Sequence, residues 1–567
     1  MMHSGRKAAL MCLFVLIGTG FAMRPAMAQG TDPRLNQGFK AEAIGDQVMV
    51  STQHPLITEA GVKVLRDGGN AVDALISMVF LQHVHQYSEN YLFGSASGIY
   101  YEAATGKYHV FNGWSDRPLA GRCGQGDPSQ VAIGGTVRTM EALWKRFGTR
   151  DWASYLESAA QAAEEGALVT SFMYGENFAQ LESGNLTSNP ALRDFYMPDG
   201  HLVPVGERWP MPELAKTLRK IGKHGASHVY TGEWGQRFVD EAKKRGYCLS
   251  LEDMAEYETR WVEPLRFTFR GHEILMEPAP VAGGLEVGYM LNILENFDLR
   301  ASGHYSESPE TLELMARAFG RVAQETRLTI QDPVSFRNPA DLWLSKEYGR
   351  LSAQFVRQTM RHPGVRLGAG GSPEAGLDMI ETAQDIAWTE RVGSQHNVIV
   401  DAAGNWITML HTSHGGAPGV FIDGVRAFGS GMRSETRGPG RRTIAPVAGT
   451  MIIRDGKPWM ALGTPGNPPQ PITEVLLNIL EYGMGPKDAA EAPRFWAFRG
   501  ATDRTIEIES RITPQVREGL RDSGITIRDL APFYWRTGSM QIVWRDKESA
   551  KLHGVSDPRR LGYAAGY

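Results

Sequence analysis

Apolar and polar positions along this chain recur with two periods, close to two and close to 3.6 residues, and the alternation between them divides it into strands and helices. QVMVST (47–52) is a strand-like run, and from Thr58 to Val84 the period becomes helical. Thr58 followed by Glu59 predicts a helix start, Gly68 and Gly69 a stop, and Asn70 the cap of a second helix carrying Val72, Leu75, Ile76, Val79 and Phe80. SENYLFGSASGIYYEA turns through small residues into a strand, and GKYHVFNGW predicts its hairpin partner. Helical spacing dominates 135–167, and a helix-and-loop stretch continues to Phe238. It contains ELAKTLRKIGKHG, an amphipathic helix whose lysines form a solvated face. SLEDMAEYE predicts a capped helix followed by two strands, the first after Pro264, and Gly283 and Gly284 open another helix.

Periodicity fades between 361 and 390, where GVRLGAGGSPEAGLDM is a linker. Its GAGG is half of a phosphate-cradling loop, without the preceding strand and the GK[ST] such a loop requires. HNVIVD and NWITMLH then form two short β-branched runs separated by Ala402, Ala403 and Gly404, a predicted hairpin with Gly404 as the left-handed turn residue. If Asp401 faces Asn405, antiparallel pairing at constant index sum places Ser394 opposite Thr412. GGAPGVFIDGVRAFGSGM is loop-rich, and strands return at GTMIIRDGKPWMALG, TIEIES, ITIRD and SMQIVWRD around the helix ITEVLLNILEYG. Strands interleaved with helices in both halves predict two packed sheets covered by helices.

Composition adds bounds. At 567 residues, 42% hydrophobic and 22% charged, the chain is an ordinary globular protein with room for a large core. A formal net charge of -4 and the lack of a long basic patch argue against a nucleic-acid partner. Arg6 and Lys7, an apolar run from Ala8 to about Phe21, and Ala26-Met27-Ala28 predict a signal peptide over 1–28, hence a secreted, periplasmic protein without a stable membrane anchor. Cys12 leaves with that segment; Cys123 and Cys248 either pair or remain as two half-buried thiols.

The chemistry concentrates at the predicted hairpin. Cutting between Gly393 and Ser394 would leave Ser394 with a free α-amine beside its own hydroxyl, nucleophile and general base on one residue. An α-amine titrating near pH 8 suits a base at neutral pH. The competing reading is an ordinary hairpin with a surface serine. The HVH of His83 and His85 and the HTSH of His411 and His414 lack a third ligand or an intervening Glu, and no metal or organic cofactor is expected.

The blocks VLRDGGNAVDA, IGGTV, SLEDMAEYE, APVAGG, HNVIVDAAGNWITM, GTPGNPP, EAPR, GVSDPRR and GYAAGY, in this order over nearly the whole chain, resemble the γ-glutamyltranspeptidase family. The resemblance implies an α+β fold, a four-layer αββα sandwich, made as one precursor that cleaves itself into a large subunit (29–393) and a small subunit (394–567) that stay associated. Ser394 falls where the family usually has threonine as nucleophile, Thr412 on its second threonine, and Gly466 and Asn467 on the Gly-Gly pair of the oxyanion hole.

Departures from the family fall where it grips the glutamyl head group. Trp114 aligns near its carboxylate-binding arginine, Ala445 and Pro446 with its paired serines, Arg433 and Ser434 near its acidic residue, and His414 with an asparagine. Charge-assisted hydrogen bonds are worth about 1.5–3 kcal/mol each, so losing three or four removes most of a small substrate's binding energy. The expected activity is an amide hydrolase or acyltransferase acting on a small amide or peptide with an altered acyl group. Trp114, Phe421, Phe428, Tyr534 and Trp535 are candidates for an aromatic wall, and Arg433, Arg437, Arg441 and Arg442 for an anion site or a solvated loop. The alternatives are a true γ-glutamyl transferase or glutathione hydrolase, and an inactive binding protein of the same fold.

Overall fold

The computed structural model describes residues 32–119, 131–184, 186–187, 189–326, 329–361, 393–414, 416–428, 441–466, 468–497 and 505–567. Two seven-stranded antiparallel sheets lie at its centre. The first runs, edge to edge, Tyr563–Gly566, Met49–Thr52, Ser394–Val400, Trp406–Thr412, Ser95–Glu102, Lys107–Gly113 and Arg260–Val262. The second runs Ala43–Gly45, Leu552–Ser556, Gln541–Arg545, Lys457–Gly463, Thr450–Arg454, His272–Met276 and Leu265–Phe269.

Side chains that alternate across each strand divide the core into layers. Met49, Ile99, Val398, Val400 and Trp406 of the first sheet meet Leu275, Met451, Ala461 and Val543 of the second between the sheets. The outer face of the first sheet is covered by helices that include Ala71–His85 and Trp152–Glu165. The outer face of the second is covered by Gly283–Leu294 and Pro309–Thr326, among others. This is the expected αββα sandwich.

The Ala71–His85 helix forms because Asn70 and Asp73 close a capping box, the Asn70 side chain accepting from the N–H groups of Val72 and Asp73. It is predominantly apolar and buried along almost its whole length. The preceding helix begins earlier than Thr58, at Pro55, and ends at Arg66. Three strands rather than two follow the capped helix Leu251–Ala255: Arg260–Val262 precedes Pro264 and joins the first sheet, while the next two join the second. The segment expected to be loop contains a further hairpin, Gly416–Ile422 with Val425–Phe428, bulged between Gly416 and Phe421. Its proline and glycines break the period-two pattern that would have marked the strand.

Cys248 is disulfide-bonded, and Cys123 lies outside the described residues. Among the described residues no helix is long and apolar enough to cross a membrane.

Candidate active site

Local pairing builds the site. Strand Ser394–Val400 pairs with Trp406–Thr412 in the expected register, Ser394 opposite Thr412 and Val400 opposite Trp406. The turn is set by Gly404 at φ 83° and by Asp401, whose Oδ1 accepts from the N–H groups of Ala403 and Asn405. Asp401 Oδ2 accepts from the Ala71 N–H (2.9 Å) and from Asn405 Nδ2 (2.8 Å), so the same carboxylate ties the hairpin to the start of the buried helix. At that helix's far end Gln82 holds both strands: its Nε2 donates to Asn397 Oδ1 (3.0 Å), and its Oε1 lies 2.8 Å from His411 Nε2. The hairpin is therefore fixed at its turn and near its open end.

At the open end Ser394 Oγ donates to Thr412 Oγ1 at 2.8 Å. Thr412 Oγ1 in turn reaches the Gly393 carbonyl at 3.4 Å. One hydroxyl thus touches both the Ser394 side chain and the Gly393 carbonyl. Thr412 is 1% exposed, and Ser394 is half-buried.

Alternation puts Ser394, His396, Leu410 and Thr412 on the face turned toward the second sheet. His396 Nε2 meets Thr408 Oγ1 (2.8 Å), and the ring lies against Gly463 so closely that a Cβ there would be 2.2 Å away. Burial pulls the His396 imidazole down to about 3, so it is neutral at physiological pH. Because Gly463 sits on His396 and Ala461 in one layer with Val398, the chain after Gly463 advances toward Ser394. Gly466 is exposed there with φ 91°, a conformation favouring glycine. Asn467, Arg433, Arg437 and Ser434 lie outside the described residues.

On one side of Ser394 the environment is apolar. Trp114 is 0% exposed and clusters with Val281, Leu410, Ala445 and Val447. Its ring lies 5.5 Å from that of His414, and its indole N–H has no hydrogen-bond partner among the described residues. Ser95 Oγ donates to the His414 carbonyl (2.5 Å), fixing that residue just beyond Thr412. Sequence-predicted Trp114, His414 and Ala445 thus come together, with Pro446 adjoining Ala445 in the chain. Behind them Glu277 is buried, its Oε1 accepting from the Gly449 N–H (2.9 Å), and burial pushes its carboxyl up to about 7.

On the other side the environment is charged, and sequence reasoning missed it. Arg560 Nη1 pairs with Glu89 Oε2 at 3.1 Å and donates to the Ser394 carbonyl at 3.4 Å. Burial, and then the charge of Glu89, push the nearby Glu176 carboxyl up to about 7. Phe172 and Trp535 meet edge to face (5.7 Å), with the Arg560 guanidinium 5.4 Å and 5.3 Å from their ring centres. The second arginine of GVSDPRR was the available signal, but nothing local ties it to a serine 166 positions away.

Two expectations are corrected. Three of the aromatic candidates stand apart: Phe421 packs on Phe195 in the helical core (5.1 Å), Trp114 lies by His414, and Trp535 by Phe172, with Tyr534 beside it (6.4 Å). Arg442 is neither a free anion receptor nor part of a solvated loop. It is 1% exposed, its Nε donates to Asp116 Oδ1 (3.1 Å), and its Nη1 to Asn112 Oδ1 (2.8 Å). Its place in an arginine-rich run hid a buried structural role.

A serine hydroxyl beginning a central strand of an αββα sandwich, with its partner threonine across the ladder, is the arrangement of N-terminal nucleophile hydrolases. The family model described as gamma-glutamyltranspeptidase matches residues 57–567, and the chain belongs to this family of amide hydrolases and acyltransferases. It is 27% identical to the acylase ACY 1 proenzyme of Pseudomonas sp. (strain SE83), over 85% of this chain and 87% of that one. To the glutathione hydrolase proenzyme of Escherichia coli (strain K12) it is 24% identical, over 99% of each. Its fold matches the crystal structure of cephalosporin acylase from Bacillus halodurans with a TM-score of 0.77 at 23% identity, covering 93% of this chain and 97% of that one.

Proposed function

We propose that this protein is a self-processing amide hydrolase or acyltransferase whose nucleophile is Ser394, freed as the first residue of a small subunit, and whose acyl site takes a group without the charged glutamyl head. The reading rests on the contact of Ser394 Oγ with Thr412 Oγ1 beside the Gly393 carbonyl. In turnover the α-amine of Ser394 takes the hydroxyl proton as Oγ attacks the substrate carbonyl, and amides near Gly466 and Asn467 stabilise the oxyanion. Water or an acceptor amine then resolves the acyl enzyme. The apolar cluster of Trp114, Leu410 and Ala445, which carries no charged side chain, supports a neutral acyl chain, and the indole N–H is the one polar side-chain group in that cluster. The acylase name of the Pseudomonas relative is consistent with this preference, and the proenzyme names of both relatives with processing. A signal peptide over 1–28 and export to the periplasm belong to the same reading.

The test is a head-group series of p-nitroanilides: γ-glutamyl, glutaryl, which lacks the amine, and pentanoyl, which lacks amine and carboxylate. Highest kcat/KM for the pentanoyl anilide supports the reading, whereas preference for the glutaryl anilide, which keeps the carboxylate, overturns the neutral acyl group. Preference for the γ-glutamyl anilide returns the protein to glutathione-type chemistry. A folded, uncut chain inert toward all three leaves a binding protein.

A further inference from the structure

Consecutive arginines near the C-terminus divide their work. Arg559 is saturated: its guanidinium bonds both Glu509 oxygens (2.7 and 2.9 Å), Asp557, and the carbonyls of Ala490 and Ala492. Arg560 turns toward the 393/394 peptide instead. It is 2% exposed and Glu89 3%, so the pair is a buried one with a large desolvation cost. Glu89 Oε1 accepts from Gln86 Nε2 (3.2 Å) and Oε2 from Arg560, whose same Nη1 also donates to the Ser394 carbonyl. A Cβ placed on Gly393 would stand 3.1 Å from Glu89 Cβ and Cγ and 3.2 Å from Arg560 Nη1. The pair therefore touches both residues of the bond to be broken, and the faces of Phe172 and Trp535 limit how far its guanidinium can move.

We propose that the Glu89–Arg560 pair is a positioning element for self-cleavage, holding the Gly393–Ser394 peptide against Thr412 in the precursor and facing the Ser394 α-amine once that bond is cut. The inference rests on Ser394 being the nucleophile. In the precursor Ser394 Oγ adds to the Gly393 carbonyl carbon, the new C–O bond replaces the C–N bond, and the hydroxyl proton ends on the Ser394 nitrogen. Water then hydrolyses the ester, giving the Gly393 carboxylic acid and returning the Ser394 hydroxyl. Arg560, on the far carbonyl, fixes the rotation of the Ser394 backbone, and Glu89 confines Gly393, so Oγ stays within reach of the carbonyl carbon. In the cut enzyme the new amine would face Glu89 and Arg560; Glu176 and Asp557 are the further charges acting on Arg560, and Arg536 acts on Glu176.

The experiment follows full-length chains made by cell-free translation, comparing wild type with Glu89→Gln, Glu89→Asp, Arg560→Lys and Ser394→Ala. Conversion is timed by denaturing mass spectrometry and folding checked by melting temperature. In the cut enzyme the Ser394 α-amine is titrated by competitive acetylation with acetic anhydride. Glu89→Gln and Arg560→Lys are expected to melt close to wild type yet convert about tenfold or more slowly, as misplacement of reacting groups does. Glu89→Gln should also shift the amine's titration to lower pH, because a neighbouring anion favours the ammonium form, whereas Arg560→Lys, which keeps its charge, should not. Should Glu89→Gln misfold, Glu89→Asp, one methylene back from Gly393, carries the same expectation of slow conversion. A folded Glu89→Gln or Glu89→Asp that converts at the wild-type rate with unchanged amine titration overturns the role of the pair alone. A wild-type small chain beginning elsewhere, or a Ser394→Ala precursor that still splits at this bond, overturns the nucleophile and the pair together.

Discussion

The two flanks of Ser394 are built from opposite materials. Toward Trp114 the neighbours are Leu410, Ala445, Val281 and Val447, and the polar group left over is an indole N–H. Toward Arg560 they are Glu89, Glu176 and an edge-to-face aromatic pair. Each flank holds a buried carboxyl pushed up to about 7, Glu277 behind the apolar side and Glu176 on the charged side. On the proposed reading, the difference separates what the site binds, set by the flanks, from how it reacts, set by the hairpin. The two hydroxyls lie on one hairpin, whereas the flanks come from segments far apart in the chain.

The largest expected effect comes from removing what the flanks share. Ser394→Ala should leave one uncut chain and abolish turnover, read by denaturing mass spectrometry, whichever flank is intact. Next, Trp114→Ala should destabilise the fold by about 3–5 kcal/mol, the usual cost of emptying a large buried aromatic site. It should also depress kcat/KM for the pentanoyl anilide more than for the γ-glutamyl one. Equal losses on both would mean that the apolar flank does not select the acyl group. Thr412→Val keeps shape but loses the hydroxyl between Ser394 and the Gly393 carbonyl, and conversion should slow by about a hundredfold, in line with removal of one well-placed donor.

The smallest effect is in pH. Glu176 and Glu277 bind protons in the folded state up to about 7, well above their ordinary 4.5. The unfolded chain releases those protons first, so each group's contribution is full below pH 4.5 and is lost as pH rises through 7, by at most about 1.4 kcal/mol per pH unit. Glu176→Gln and Glu277→Gln should each flatten the decline of melting temperature between about pH 5 and 8. A decline unchanged by either would place both carboxylates in wetter surroundings than the fold implies. The buried imidazoles act in the opposite direction. His83 and His396, drawn down to about 3 by burial, are protonated more readily in the unfolded chain, so stability falls as pH drops below 6.5.

Much of the architecture was legible along the chain. Asn70 as a cap, the 95–113 hairpin and most strands of the two sheets fall where their patterns predict, while TIEIES and ITIRD form a separate sheet with Phe495–Ala497. What escaped were segments whose pattern is broken for tertiary reasons. The bulged hairpin at 416–428 is one. The strands Ala43–Gly45, Leu552–Ser556 and Tyr563–Gly566 also carried no local signal, and Arg260–Val262 is a further case: Glu263 and Pro264 separate it from the strand Leu265–Phe269, so the local pattern starts the sheet only after the proline. That short strand pairs with Lys107–Gly113, a partner far back in the chain that no local pattern announces.

The site divides in the same way. The sequence alone determined that Ser394 faces Thr412, because two short runs joined by a tight turn admit one register and antiparallel pairing fixes every opposite residue from the turn outward. Only the tertiary structure decided what surrounds that pair. Trp114 meets Ala445, and Glu89 meets Arg560, across hundreds of positions, because stacking two sheets and their helices brings those segments together, and burial then sets the charge each side chain carries.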